Sequence, residues 1–235
     1  MKIKYSALVM GVSGKLNGSV GATNRGGAYL RNKGVVSNPQ TAAQQAVRSA
    51  FGALSSQFRD LTPAQITAWN SAAADFPVID RLGDTRYLTG LGLFVQLNTN
   101  LQSIGKPVIL NPPAKQAFPA FDSMAVVMEV TAGALSSLNV GTAFGCSVAG
   151  FYMLVRMSPS VSPSITNVKN KLRKIGSASA VSGSTITFET PAAYTNVFGV
   201  PIVGQVVFAE VVLISSVSGE ASVIYKASGV VASGD

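Results

Sequence analysis

A change of hydrophobic period across a short proline-rich stretch constrains this chain more than any other feature. Pro107, Pro112, Pro113 and Pro119 fall within thirteen residues. Proline fixes φ and donates no backbone hydrogen bond, so neither a helix nor a central strand runs through such a stretch. Before it, apolar residues recur at three- and four-residue spacing. After it, they alternate or form short runs broken by Gly, Ser, Pro and Asn. Those two periods belong to helices and strands respectively. The sequence therefore predicts an α+β chain with a helical module over 38–106, a proline-rich linker over 107–119 and a β-sandwich domain over 120–235.

The helical module opens at "SNPQTAAQQAVRSAF". Asn38 is placed to cap the first helix, with Pro39 at its first position. Ala43, Val47, Phe51, Leu54 and Phe58 then form one apolar stripe. "LTPAQITAW" restarts the pattern: Thr62 caps, Pro63 takes the first position and Gln65 completes a capping box. Ile66, Trp69, Ala73 and Phe76 make the second stripe, and the two helices are expected to pair as a hairpin with Trp69 in the seam. A third helix is expected over 89–104, with Phe94, Leu97, Leu101 and Ile104 inward and Gly105 as its stop.

Seven β-rich runs follow the prolines, from "MAVVMEVT" to "EASVIYKAS". Their spacing predicts an antiparallel sandwich of the immunoglobulin or fibronectin kind. "TPAAYTNVFG", 190–199, is expected to add a short helix. The single cysteine, Cys146, lies in an apolar run and is expected to be a buried structural thiol. No apolar run is long enough to span a bilayer. "MKIKYSALVMGVSG" has lysines ahead of a short apolar patch broken by Ser6 and Gly11; the expectation is a structured N-terminus rather than a cleaved leader.

The first 37 residues are different again. Glycines at 11, 14, 18, 21, 26, 27 and 34 punctuate a loose alternation. "YSALVMGV" and "GGAYLRNKGVV" are expected to be strands with "GKLNGS" as the turn between them, making a basic, glycine-rich β-ribbon that buries little alone. The net charge is +8, and all of the excess sits early. Residues 1–59 carry eight basic side chains and no acidic one; 60–120 carry four of each, and 121–235 six of each. Such asymmetry calls for an acidic partner. The partner face is placed at Lys2, Lys4, Tyr5, Lys15, Arg25, Tyr29, Arg31 and Lys33. The ribbon suits an acidic protein surface better than nucleic acid, because its cations are dilute and form no run. Lys169, Lys171, Arg173 and Lys174 form a second basic group, read as a solvated strand edge protected from aggregation; a second contact patch is the sharper alternative.

Catalytic chemistry is not evident. The chain has no histidine and one cysteine, which removes histidine triads and most zinc sites. "GVSGKL" lacks the first glycine and the hydroxyl of a phosphate-binding loop, and no nucleophile elbow occurs. Asp75, Asp80 and Asp84 match no metal-loop spacing and have Arg81 and Arg86 among them. We expect no catalytic residue, no bound metal, no cofactor and no small-molecule substrate.

The segment from "GVSGKLNGSVGATNRGGAYLRNKG" to "LTPAQITAWN" resembles an uncharacterised family of phage and prophage structural proteins. The resemblance rests on Ser13, Gly14, Lys15, Gly18, Val20, Tyr29, Arg31, Thr41, Gln44, Arg48 and Phe51, and covers about a third of the chain. It implies a context, the virion, and no mechanism. The expectation is a non-enzymatic structural subunit of a phage head or tail, made in the host cytoplasm. It would form a homo-oligomer and dock onto other virion proteins through acidic surfaces, with no membrane contact. The alternatives are a nucleic-acid-associated protein using its cationic N-terminal segment and a bacterial surface or filament subunit.

Overall fold

The computed structural model describes residues 3–4, 11–24, 26–34, 38–80, 82–179 and 183–234. The fold is mixed α+β with one large sheet, and it divides into two compact units, 1–95 and 96–235, the division falling inside a helix. Each unit is described by itself.

The N-terminal unit begins with a three-stranded antiparallel ribbon: β1 (Gly14–Leu16), β2 (Ser19–Asn24) and β3 (Gly27–Asn32). "GKLNGS" is not a turn as a whole. Gly14–Leu16 is a strand, and the reversal is confined to Asn17-Gly18, with Asn17 at φ 46°. Asn-Gly favours a two-residue turn with positive φ, and that turn leaves the flanking residues free to pair. The expected strand at 5–12 falls mostly outside the described residues.

Helix α1 (Ala42–Arg59) is capped by Thr41, not Asn38: the Thr41 hydroxyl accepts from the Gln44 N–H at 3.3 Å. Gln40 takes φ 51°, so the chain enters the helix only after it. Asn38 lies outside and instead accepts from Arg48 Nη2 at 2.8 Å. Helix α2 (Pro63–Ala72) starts with the expected capping box of Thr62 and Gln65, with Pro63 in the first turn. A single 3₁₀ turn follows at Ala73–Asp75, then a small hairpin, β4 (Pro77–Ile79) and β5 (Thr85–Tyr87). Helix α3 (Gly90–Ser103) is the expected third helix. Trp69 is fully buried and meets Phe94 edge-on at 5.2 Å between ring centroids, and Phe58 meets Phe94 at 5.4 Å. The seam of this unit therefore holds one residue from each helix. Gly105, at φ 71°, ends α3, and the Lys106 N–H bonds back to the Leu101 carbonyl at 2.9 Å.

The C-terminal unit is built on β6 (Phe121–Thr131), β7 (Ala134–Phe144), β8 (Phe151–Met157), β9 (Arg173–Ser179), β10 (Thr185–Phe188), β11 (Val206–Ser215) and β12 (Tyr225–Ser233), with α4 (Pro191–Phe198) between β10 and β11. The strand order is β10-β7-β6-β12-β11-β8-β9. Every pairing is antiparallel except β6 with β12, which is parallel and short, Met128 lying beside Val231. Alternate residues of the strands enter one core: Val126, Met128, Leu138, Val140, Met153, Val155, Val207, Val211 and Ile186 among them. A single core shared by strands from both ends means the sheet wraps around it. Gly176 marks the closure: a Cβ there would sit 2.7 Å from the Phe188 ring, so edge strands β9 and β10 approach where no side chain intervenes.

The strands β8 and β11 are apolar on both faces. Their outer residues Leu154 and Ile214 pack with Leu101 from the last turn of α3 and Ile104 just past its end, flanked by Tyr152 and Val212. That cover explains the uninterrupted runs "FYMLV" and "VVLI", which a half-solvated strand would not carry. The proline-rich stretch is held to this unit: Asn98 bonds both backbone groups of Ile109, at 2.8 and 3.2 Å, and the Gln116 N–H donates to Glu220 at 2.7 Å.

Cys146 is exposed, contrary to the sequence expectation. Strand β7 ends at Phe144 and the chain turns outward, so the next inward side chain is Val148.

Candidate assembly interface

The ribbon's faces follow from its register. Lys15 lies beside Val20, and Val20 beside Arg31; directly paired residues project to the same face. Tyr29, two residues before Arg31 on β3, shares that face and sits beside Ala22. The structure therefore brings Lys15, Tyr29 and Arg31 together on one surface, with Lys33 just past the end of β3, its N–H bonded to the Gly18 carbonyl at 2.8 Å. On the opposite face the preceding chain packs against the middle of β2. Val12 lies so near Gly21 that a Cβ there would meet its side chain at 2.7 Å. Gly21 is the sole fully buried residue of β1–β3.

Lys4 is not part of the cationic face. Its ammonium donates to Asp84 Oδ1 at 2.8 Å, and the hydrogen bond and charge of that carboxylate hold the ammonium above its usual range. Lys2, Tyr5 and Arg25 lie outside the described residues. Of the acidic group, Asp80 accepts from the Leu82 and Asp84 N–H groups at 2.7 and 3.2 Å and shapes the β4–β5 turn. No cluster of three potential metal ligands occurs among the described residues. No described helix is long and apolar enough to cross a membrane.

The larger feature is on α1. Its apolar stripe runs the whole helix, but only Leu54 and Phe58 are buried. Val47 is 70% and Phe51 56% exposed, and every residue from Ala42 to Ser49 is exposed. The first two turns thus have no tertiary support from the described residues. A helical segment this short is marginal in water on propensity alone, because most helix stability in proteins comes from packing an amphipathic face. The sequence placed Ala43, Val47 and Phe51 on one apolar stripe with Leu54 and Phe58. The period was correctly read, but among the described residues nothing covers that end.

The chain matches no known protein-family model and no curated protein sequence.

Proposed function

We propose that this chain is a non-enzymatic structural subunit of a bacteriophage particle, in the head or the tail, that works by self-association and by docking onto other virion proteins. The observation that carries the reading is the bare half of α1's apolar stripe. Ala43, Val47 and Phe51 continue the line of Leu54 and Phe58 into solvent. Burying Val47 and Phe51 is worth about 1.5–3 kcal/mol each. The same face on a second copy offers that burial, as in any self-complementary contact. The cationic ribbon face of Lys15, Tyr29, Arg31 and Lys33 supplies a second contact, toward acidic neighbours.

We read the large sheet as an immunoglobulin- or fibronectin-like sandwich displayed by this subunit. Three strands, β10-β7-β6, and four, β12-β11-β8-β9, divide at the short parallel pairing. In this reading the first, second and fifth strands of the unit make one layer and the third, sixth and seventh the other, the grouping of that architecture. The fourth, β9, lies at the edge beside the third.

The test is to measure the mass of the purified chain across a concentration series and to look for it in particles. Concentration-dependent assembly that Val47→Asp and Phe51→Asp abolish, with the chain present at fixed stoichiometry in purified phage particles, is the expected result. A chain that stays monomeric at high concentration and is absent from such particles would refute the reading.

A further inference from the structure

A row of charged side chains crosses the outer face of the large sheet. Lys226 on β12 lies beside Glu210 on β11, Glu210 beside Arg156 on β8, and Arg156 beside Lys174 on β9. Directly paired residues share a face, so four strands set one row beyond the area that α3 covers. Glu210, 13% exposed, holds Lys226 Nζ at 3.0 Å. Arg156 has no ion-pair partner among the described residues, and neither has Lys174, whose ammonium donates to the Ser103 carbonyl at 2.7 Å.

The segment between β8 and β9 folds over this row and brings Lys169, and Arg173 opens β9 beside it. Arg173 Nη1 donates to the Asn170 and Leu172 carbonyls at 3.0 and 2.9 Å, which fixes the segment's end. Between them lies a cleft of about 400 Å³, with Leu172 and Ile224 as apolar walls. It shares Lys169, Leu172, Glu210 and Lys226 with an adjoining recess of about 440 Å³. Five cations and one carboxylate line the cleft, a net of four positive charges. Like charges directly opposite on neighbouring strands are destabilising. Partial burial, and then the nearby Arg156 charge, hold the Lys174 ammonium below its usual range. An uncovered anion site accounts for cations kept at such a cost.

We propose that this cleft binds a phosphate ester, with Arg156, Lys169 and Lys174 on the phosphate oxygens and Leu172 and Ile224 against the organic group that carries it. A single carboxylate would leave three positive charges unmatched, whereas a phosphate monoester brings a charge of about −1.5 to −2. The guanidinium of Arg156 also offers paired N–H donors that match phosphate geometry. A 5′-phosphorylated nucleic-acid end and the monoester headgroup of phosphatidic acid share this chemistry. The proposal does not rest on the assembly reading.

The experiment is calorimetric titration of the full chain at low salt with inorganic pyrophosphate and with a 5′-phosphorylated single-stranded oligonucleotide. Flotation with phosphatidic acid–phosphatidylcholine vesicles, against phosphatidylcholine alone, is run in parallel. At least one probe should bind saturably, and which one identifies the source. Arg156→Gln and Lys174→Gln should each weaken that binding by about tenfold or more, Arg156→Lys by less, and Lys115→Gln, which removes a charge elsewhere, not at all. Circular dichroism checks that each variant folds; Lys169→Gln, on an exposed segment, carries the test if a strand variant does not. The proposal is overturned if no probe binds saturably, or if the cleft variants stay within about twofold of the unaltered chain.

Discussion

Gly219 tests whether the C-terminal unit is held together by the close seating of the β11–β12 turn on α3. Its φ is 72°, and a Cβ there would clash with the Leu97 carbonyl oxygen and lie 3.0 Å from the Leu101 side chain. The same turn receives a hydrogen bond from Asn100 Nδ2 to the Gly219 carbonyl at 2.8 Å. Gly219→Ala therefore combines three costs. Left-handed backbone in a residue with a Cβ costs about 1–2 kcal/mol. The clash is with backbone, so turn or helix must shift by about an ångström, an overpacking cost of about 1–3 kcal/mol. The displaced hydrogen bond adds about 1 kcal/mol. The expected loss is about 3–6 kcal/mol, and Gly204→Ala provides the control. Gly204 has φ 80° and open space around its Cβ position, so it should lose only the backbone share, about 1–2 kcal/mol. Urea unfolding followed by circular dichroism measures both variants, and amide exchange in β11 and β12 localises the effect. Equal losses in the two variants would show that the contact with Leu97 contributes nothing, and the reasoning would fail.

Other substitutions separate packing from interface. Leu54→Ala should destabilise the N-terminal unit by about 2–5 kcal/mol, read by the fluorescence of Trp69, whereas Val47→Asp should change monomer stability by no more than about 0.5 kcal/mol while blocking assembly. Tyr194 is buried, with its hydroxyl donating to the Ser158 carbonyl at 3.1 Å, and burial pushes its pKa up to about 12. The folded chain thus keeps the proton more tightly than the unfolded one, so this contribution is whole below pH about 10 and is lost as pH rises toward about 12; an alkaline stability profile should show that decline, and Tyr194→Phe should remove it. Asn98→Ala leaves both backbone groups of Ile109 without their partner and should cost about 2–4 kcal/mol, with faster amide exchange at Ile109 as the direct readout.

What the sequence determined is local. The capping box at Thr62 and Gln65, the stop at Gly105 and the alternation of Val126, Met128 and Val130 are all fixed within a few residues of chain. Backbone geometry alone sets those periods, so they are legible without a fold. Even there the choice between neighbours was not: the cap moved from Asn38 to Thr41 because Gln40 turns the chain between them. Periodicity placed Val47 and Phe51 on a common face with Leu54, but whether anything covers that face depends on residues distant in sequence, or on another chain. Cys146 left the core for a similar reason, since a strand's end is set by its partner strand and not by hydropathy.

The cleft shows the same division most clearly. Counting along the chain, residues 121–235 hold six basic and six acidic groups and look neutral. The signal available was a charge inside each apolar strand, Arg156 in "FYMLVRM" and Glu210 in "VVFAEVVLI", marking an outward position left uncovered. Only the pairing register sets Lys226, Glu210, Arg156 and Lys174 in one row, and only the fold of the β8–β9 segment adds Lys169 above it. Register is decided by contacts between strands far apart in the chain, where one residue of slip would turn every one of these side chains to the other face.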